Sequence, residues 1–384
     1  MRFLINTSKL RFGGAVQVAL SFIHECRAHD QHEYHVVVGP GVGAVLKPSD
    51  FPKNFHFHTK SFGVMGMGKL RRVQREMRAL EDTVQPDCVV TTAGPAYWRS
   101  RAPHLVGFNR PLFIYPESPW LALMKPRARV QLAIQKQMHC WLYRREADAL
   151  IVQTDDVNQR VRKLLGTDKV YTVTNNHNGW YEQAADFPPR LPERAPGAFR
   201  LLSLTSYYPH KNLELIPDVI KALPDSLRNR VEFILTLTED EYRQKIGGAV
   251  PAQIRLIGPV PPPECPALYR ECDAMFLPTL AECFSASYPE AMKMEKPVIT
   301  TDLGFARSIC GDAALYFEPC NANAAAEQIA RLVADPLLQQ SLQARGRERL
   351  LTFDSPARRA EKILALCAGL VDDREGSASK VSTA

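Results

Sequence analysis

No stretch of the sequence approaches ~18 consecutive apolar residues, so no membrane-spanning helix is expected. The opening run Met1-Arg2-Phe3-Leu4-Ile5-Asn6 is too short for a signal-peptide core before polar residues interrupt it. The nine cysteines (26, 88, 140, 265, 272, 283, 310, 320, 367) form no Cys-x-x-Cys pair. An odd count in a chain this long reads as reduced thiols in a cytosolic protein. The cysteines and the ten histidines show no zinc spacing. Asp-x-Asp is absent, so the usual carboxylate pair for a metal on a diphosphate is missing, and no metal or other cofactor is expected. Gly-x-Gly-x-x-Gly is absent too, which removes the dinucleotide fingerprint. No helix-turn-helix, zinc-finger or RNP-type motif appears, which argues against nucleic acid as a partner. No internal repeat is visible.

What is present is ordinary globular composition over 384 residues, with 45% hydrophobic and 23% charged residues, so two domains are the prior. Short apolar runs alternate with helical stretches in both halves. The first half gives strands at Arg2–Asn6, His35–Gly39, Asn54–His58, Cys88–Thr92, His104–Phe108, Ala149–Thr154 and Val170–Thr174. Helices are expected near 15–28, 69–81 and 127–145. The second half gives strands at Phe199–Thr205, Val231–Leu237, Ile254–Ile257, Ala274–Leu277 and Val298–Thr301, and helices near 211–223, 265–272, 285–294, 322–350 and 356–371. Strand–helix alternation predicts an α/β protein with one parallel sheet per half. Pro188, Pro189, Pro192 and Pro196 cannot sit in a helix or central strand, so a linker is expected at 186–197. The resulting division is 1–185, the linker, 198–350, a last helix at 351–371 packing back on the first domain, and a disordered polar tail at 372–384. Two such sheets facing across a cleft would hold ligands at their strand carboxyl ends.

Three stretches carry chemistry. In Leu277-Pro278-Thr279-Leu280-Ala281-Glu282-Cys283-Phe284-Ser285-Ala286-Ser287-Tyr288-Pro289-Glu290, a strand ends and a helix begins. Small residues at that start leave backbone N–H groups open to a phosphate. Glu282 and Glu290 would hydrogen-bond hydroxyls at two ends of an extended ligand; taken alone, they equally fit a helix-entry acid and a surface residue. In Ser203-Leu204-Thr205-Ser206-Tyr207-Tyr208-Pro209-His210-Lys211-Asn212, the Lys at a strand-to-helix corner suits neutralisation of a diphosphate leaving group. Gly13-Gly14, after the first strand, lets backbone approach a ligand closely.

Taken in order, the Lys211 corner, the Glu282 to Glu290 spacing and the run Lys296-Pro297-Val298-Ile299-Thr300-Thr301-Asp302 resemble the retaining glycosyltransferases of family 4, among the group 1 glycosyltransferases. Thr174-Asn175-Asn176-His177-Asn178 is similar to that family's domain-closing strand and loop. The resemblance is firm over 200–320 and looser over 1–185. It implies a GT-B fold of two Rossmann-like domains, with a nucleotide-diphosphate-sugar donor bound by the second. Lys211 and Glu282 would then be catalytic, Lys211 on the diphosphate and Glu282 on sugar hydroxyls. Ser206, His210, Phe284, Ser285 and Ala286 would complete the donor site, with Glu290 on the ribose. Gly13, Gly14 and Asn109 would line the acceptor side. The implied chemistry retains the anomeric configuration, without metal and without a dedicated nucleophile. Two departures stand out. Ser206 occupies the place of an Arg five positions before the Lys, for which Arg307 or a first-domain residue is a candidate substitute. Phe108-Asn109-Arg110 stands where the family often has a strand-end His, with His104 upstream.

Residues 1–185 hold 25 Lys/Arg against 15 Asp/Glu, whereas the remainder holds 23 against 26. A basic first half suggests an anionic partner. Lys69, Arg71, Arg72, Arg75 and Arg78 share one helix, and Lys125, Arg127, Arg129, Lys136, Arg144 and Arg145 follow in the next basic segment. With Met65, Met67, Trp120, Leu121 and Leu123 nearby, these suit either an anionic membrane surface or two solvated helices. The sequence thus predicts a cytoplasmic glycosyltransferase, peripheral at the inner membrane face, acting on a glycan or lipid-linked acceptor in cell-surface polysaccharide or glycolipid assembly. An epimerase or phosphorylase on the same scaffold, or a catalytically silent sugar- or nucleotide-binding protein, remains the alternative.

Overall fold

A computed structural model describes residues 1–11, 13–62, 67–182 and 187–382. It divides into two compact units. The first comprises Met1–Ile114, Lys125–Asn175 and Asp354–Ala384; the second comprises Tyr115–Met124 and Asn176–Phe353.

The first unit holds a seven-stranded parallel sheet in the order β3-β2-β1-β4-β5-β6-β7. These strands are β1 (Arg2–Asn6), β2 (Glu33–Val38), β3 (Phe55–Thr59), β4 (Cys88–Thr91), β5 (His104–Gly107), β6 (Ala149–Val152) and β7 (Val170–Thr172). Buried on both faces, the central strands are near-continuous apolar runs, as parallel sheets require. Helices α1 (Gly14–Glu25), α2 (Met67–Val84), α3 (Pro126–Glu146) and α4 (Asp155–Leu165) connect them. Sequence reading missed α4, although its ends are well marked. Thr154 caps Val157 N at 3.2 Å, and Gly166 closes it at φ +65°. Gly107 ends β5 where an added Cβ would lie 2.2 Å from the Thr92 carbonyl oxygen, so no larger residue fits without moving backbone.

The second unit holds a six-stranded parallel sheet, β10-β9-β8-β11-β12-β13. Its strands are β8 (Phe199–Ser203), β9 (Val231–Leu235), β10 (Ile254–Leu256), β11 (Ala274–Leu277), β12 (Val298–Thr301) and β13 (Ala314–Phe317). The last was not expected. Fully buried Phe233 and Phe276 anchor the core, with Phe276 stacked on Phe317 at 5.6 Å. The stretch read as one helix over 211–223 is instead two 3-10 turns, Pro209–Lys211 and Leu213–Leu215, followed by α5 (Ile216–Ala222). Asn212 between the turns sits at φ +55°, a left-handed conformation that Asn tolerates and an α-helix interior does not. Helix α6 is Ser287–Lys293. The stretch 322–350 breaks into α7 (Ala322–Ala334) and α8 (Pro336–Leu350). Pro336 supplies no N–H, and Asp335 caps Leu338 N at 2.9 Å.

Two expected boundaries move. The second unit starts at Asn176, not after the Pro-rich segment, because that segment is docked on it. Arg194 pairs with Asp273 at 2.6 Å, Leu191 N donates to Glu271 at 2.8 Å, and Leu191 is buried. The last helix, α9 (Pro356–Ser382), groups with the first unit; Ala360, Ile363, Leu364, Cys367 and Leu370 join the core of Phe3 and Ile5. Buried Arg359 donates to the Asn175 side chain. Residues 372–384, expected as a disordered tail, are helical through Ser382, since no proline interrupts the helix that Pro356 opens. All nine cysteines are free thiols, and Cys320 alone is exposed.

Candidate active site

In a sheet ordered this way, the two strands where the connections reverse direction splay their following loops and leave a crevice at their carboxyl ends. In the second unit those strands are β8 and β11, which pair directly. The loop after β8 carries Lys211 and the loop after β11 carries Glu282, so residues 71 apart in sequence meet. The Lys211 Nζ donates to Glu282 Oε1 at 2.5 Å, and both side chains are about nine-tenths buried. Thr279 Oγ1 lies 2.9 Å from the same carboxylate oxygen and 3.2 Å from the His210 carbonyl oxygen. Leu280 N donates to His210 O at 2.7 Å, locking the two loops together. Ser118 Oγ donates to Leu280 O at 2.7 Å, and Thr301 Oγ1 to Thr279 O at 2.6 Å, so hydroxyls satisfy the loop's buried carbonyls.

Glu290 sits on α6, one turn in. Its half-buried carboxyl has a pKa pushed up to about 7, chiefly because crowding protein disfavours the charged form. A hydrogen bond from the Tyr181 hydroxyl and the nearby Lys211 cation both oppose that rise. The Lys211 cation thus contacts Glu282 and acts on Glu290 at longer range. The His210 imidazole is held below its ordinary pKa by burial, against the pull of Glu282, and its ring stacks on Tyr208 at 5.5 Å.

The other expected donor residues lie around this core. Ser285 is buried, Phe284 and Ala286 are half-buried, and Ser206 is exposed. Phe284 meets Phe353 edge-on at 5.9 Å. Ser287 Oγ donates to Leu204 O at 3.2 Å, binding the start of α6 back to the β8 loop. Arg307, a candidate for the missing cation, is instead in a two-point pair with Asp302 at 2.5 and 2.8 Å, and lies 4.2 Å over the Tyr316 ring. Its charge is matched there. Gly13, Gly14 and Asn109 belong to the first unit: Gly13 takes φ +80° ahead of α1, a Cβ at Gly14 would meet open space, and Asn109 is exposed just past β5.

Sequence reading missed Tyr181 and Thr279, which have no local signature. It also missed a largely buried polar group in the first unit. There the Lys9 Nζ lies 4.1 Å from the Tyr97 ring, the Tyr97 hydroxyl lies 3.1 Å from His139 Nε2, and Tyr97 N donates to Glu146 at 2.9 Å. Burial lowers Lys9 to about 8 and lifts Glu146 to about 8. Burial, with Arg110 and Lys9 nearby, lowers His139 to about 4. Lys9, Tyr97 and the α3 residues His139 and Glu146 come from three separate segments, so no spacing announces the group. Among the described residues, Glu33, His35 and His56 bring metal-ligating atoms within 4.8 Å of one another. They are already hydrogen-bonded: Arg2 Nε donates to Glu33 Oε2 at 2.8 Å, and His35 Nδ1 lies 3.0 Å from His58 Nε2.

Comparison with known proteins bears on family and fold. Residues 192–349 match the family model described as glycosyl transferases group 1. An Escherichia coli protein named O-antigen chain mannosyltransferase B is 27% identical over 143 residues, which are 36% of this chain and 38% of that protein. The chain thus spans well under half the length of that curated relative. Among solved structures, Anabaena HepE in complex with UDP and glucose is 14% identical, with a TM-score of 0.67 over 96% of this chain and 100% of that one. A Thermosynechococcus elongatus sucrose-phosphate synthase is 14% identical, with a TM-score of 0.70 over 97% and 99%. WaaG, a glycosyltransferase involved in lipopolysaccharide biosynthesis, is 15% identical, with a TM-score of 0.69 over 94% and 98%. Two parallel α/β sheets and these neighbours make the fold GT-B.

Proposed function

Residues 192–349 belong to the group 1 glycosyl transferases, and on that premise we propose that the chain transfers a sugar, with retention, from a nucleotide-diphosphate-sugar to an acceptor hydroxyl. The observation that carries this is the buried Lys211–Glu282 pair at the reversal point of the second sheet, with Glu290 on the helix that follows. In the reaction, the bond from the sugar's anomeric carbon to the diphosphate breaks. The acceptor oxygen bonds the same face of that carbon, and its proton passes to the departing phosphate oxygen. Lys211 neutralises charge growing on the diphosphate, Glu282 holds sugar hydroxyls, and Glu290 accepts from the ribose. Backbone amides at 284–286 complete the phosphate cradle, and Gly13, Gly14 and Asn109 serve the acceptor. Positioning and charge stabilisation suffice, so no metal is needed.

The relative named for the O-antigen chain, and the neighbour named for lipopolysaccharide biosynthesis, support a role in cell-surface polysaccharide or glycolipid assembly. Structures holding UDP or UDP-glucose support a nucleotide-sugar donor. We read the site of action as the cytoplasmic side of the membrane. The exposed Ser206, standing in for a cation, favours one second reading, a binder without turnover. Slow release of free nucleotide from nucleotide-sugars, measured by a coupled assay in the presence of EDTA, separates the two. The expected result is measurable release in wild type and a loss of about 10²-fold or more in Lys211→Ala, as for removal of one transition-state charge contact. Unchanged kinetics in the variant would remove Lys211 from the site, and no release with any nucleotide-sugar would favour the binder.

A further inference from the structure

Helix α3 has one buried side and, on another, an exposed apolar row. Its inward side buries His139, Leu142, Tyr143 and Glu146. Val130, Ile134, Met138 and Trp141 follow at spacings of four, four and three, which is a single stripe along the other side. They are exposed to 62%, 66%, 48% and 53%. Single exposed apolar residues need no explanation, but four in one row over three turns do. The charge around the stripe has one sign. From Ser118 through Arg145 the sequence has Lys125, Arg127, Arg129, Lys136, Arg144 and Arg145, and no Asp or Glu. Arg127 and Arg129 are exposed before the stripe, and at its far end the Arg145 guanidinium lies 4.8 Å over the Trp141 ring. An aromatic ring beneath a cation, beside branched aliphatics, is the composition of a surface that sits at a hydrocarbon–headgroup boundary.

The other basic helix lacks these features. In α2, Arg72 pairs with Glu76 at 2.6 Å, and the apolar Val73 and Met77 are buried. Met65 and the side chain of Met67 lie outside the described residues. The basic excess of α2 is therefore a solvated face, whereas α3 joins positive charge to unpartnered hydrocarbon. Nucleic acid would match the charge and leave the aliphatic row unserved.

We infer that the outward side of α3 docks on an anionic lipid bilayer, with Val130, Ile134, Met138 and Trp141 entering the acyl boundary and Arg127, Arg129 and Arg145 on the headgroup phosphates. The inference deepens the proposed function by naming the surface that brings the enzyme to a lipid-linked acceptor, and it rests on that reading for its purpose only. Full-length protein is sedimented with phosphatidylcholine vesicles, with and without phosphatidylglycerol, at low and high salt. Binding is expected only with phosphatidylglycerol, weakening as salt rises. Ile134→Ser with Trp141→Ser is expected to lower partitioning at least tenfold, since each buried side chain of this size favours transfer by more than a factor of about ten. Arg127→Gln is expected to lower it about fivefold. Trp141 emission should shift to the blue on binding in wild type, and Trp141→Phe should abolish that shift. Because the substituted positions are exposed, an unchanged Tm shows that the variants fold. No binding to phosphatidylglycerol at low salt, binding indifferent to the aliphatic substitutions, or a dimer in sedimentation velocity that those substitutions dissolve would each overturn the proposal. Nucleotide release measured on the same variants keeps the two readings apart: vesicle binding with no release in any form sinks the enzyme and leaves the surface standing.

Discussion

Lys211→Met should lower stability by about 3–5 kcal/mol, because it leaves Glu282 buried without its cation. The structure sets that magnitude. The pair closes at 2.5 Å with side chains only 10% and 11% exposed, so water cannot replace the missing partner, and Thr279 offers Glu282 one hydroxyl. Removing both charges in Lys211→Met with Glu282→Met should be much milder than the sum of the single losses, with a coupling of about 1–3 kcal/mol for groups in contact. The assay is urea unfolding followed by circular dichroism, fitted as two transitions if the units melt separately. Heating gives the same comparison, at about 2–4 °C per kcal/mol for domains of 150–250 residues. A nucleotide-sugar that raises the Tm of wild type should fail to raise that of Lys211→Met. Additive single losses, or a Lys211→Met loss below about 1 kcal/mol as for an exposed ion pair, would refute the buried pair as the centre of the site.

Two further outcomes follow from local geometry. Glu290, raised to about 7, is partly protonated near neutrality, and under the proposed function its ionised form is the better acceptor for ribose hydroxyls. Nucleotide affinity should therefore rise with pH through about 7, and Glu290→Gln should flatten the profile; equilibrium titration across about pH 6–8 checks it, and a flat wild-type curve removes the assignment. The same raised pKa means that ionising Glu290 costs folding free energy, so its contribution to stability declines as pH rises from its unfolded value of 4.5 through 7. In the first unit, Gly107→Ala puts a Cβ 2.2 Å from the Thr92 carbonyl oxygen and should cost about 1–3 kcal/mol as overpacking. A measured change below about 0.5 kcal/mol would mean that β4 and β5 part easily there.

Much of the architecture was readable from residues because buried parallel strands are written as apolar runs. Phe3-Leu4-Ile5 and Met275-Phe276-Leu277 leave little alternative. Lys211 and Glu282 were singled out by the strand-to-helix corners they occupy and by the family resemblance, and the structure brings the two side chains into contact. What was not readable depends on tertiary context. Asn212 at φ +55° breaks a stretch whose side-chain pattern suits a helix. Strand β13 (Ala314–Phe317) went unread although strands as short were found. The Pro-rich segment has linker composition, yet Arg190 and Arg194 tie it to Glu264 and Asp273, partners more than seventy positions away. Tyr181 reaches Glu290 from a short turn beyond the first sheet, and Lys9, Tyr97, His139 and Glu146 converge from three segments. In each case the deciding partner is distant in the chain, where neither propensity nor spacing carries information.

The Lys211–Glu282 pair bears directly on how the missing arginine is tolerated. With Ser206 in that place and Arg307 matched by Asp302, the described residues around Glu282 hold one ammonium already neutralised by one carboxylate. A bare nucleoside diphosphate would have to draw Lys211 away and leave Glu282 facing the phosphates with only Thr279 for support, a repulsive arrangement in a buried place. A nucleotide-sugar offers an exchange instead. Its hydroxyls donate to Glu282 while its diphosphate takes the ammonium, so both buried charges stay paired and Glu290 is drawn toward its ionised form by the ribose. Under the proposed function, the ion pair at the reversal point therefore makes the intact donor a better ligand than its own leaving group, and the product loosens its hold once the sugar has gone.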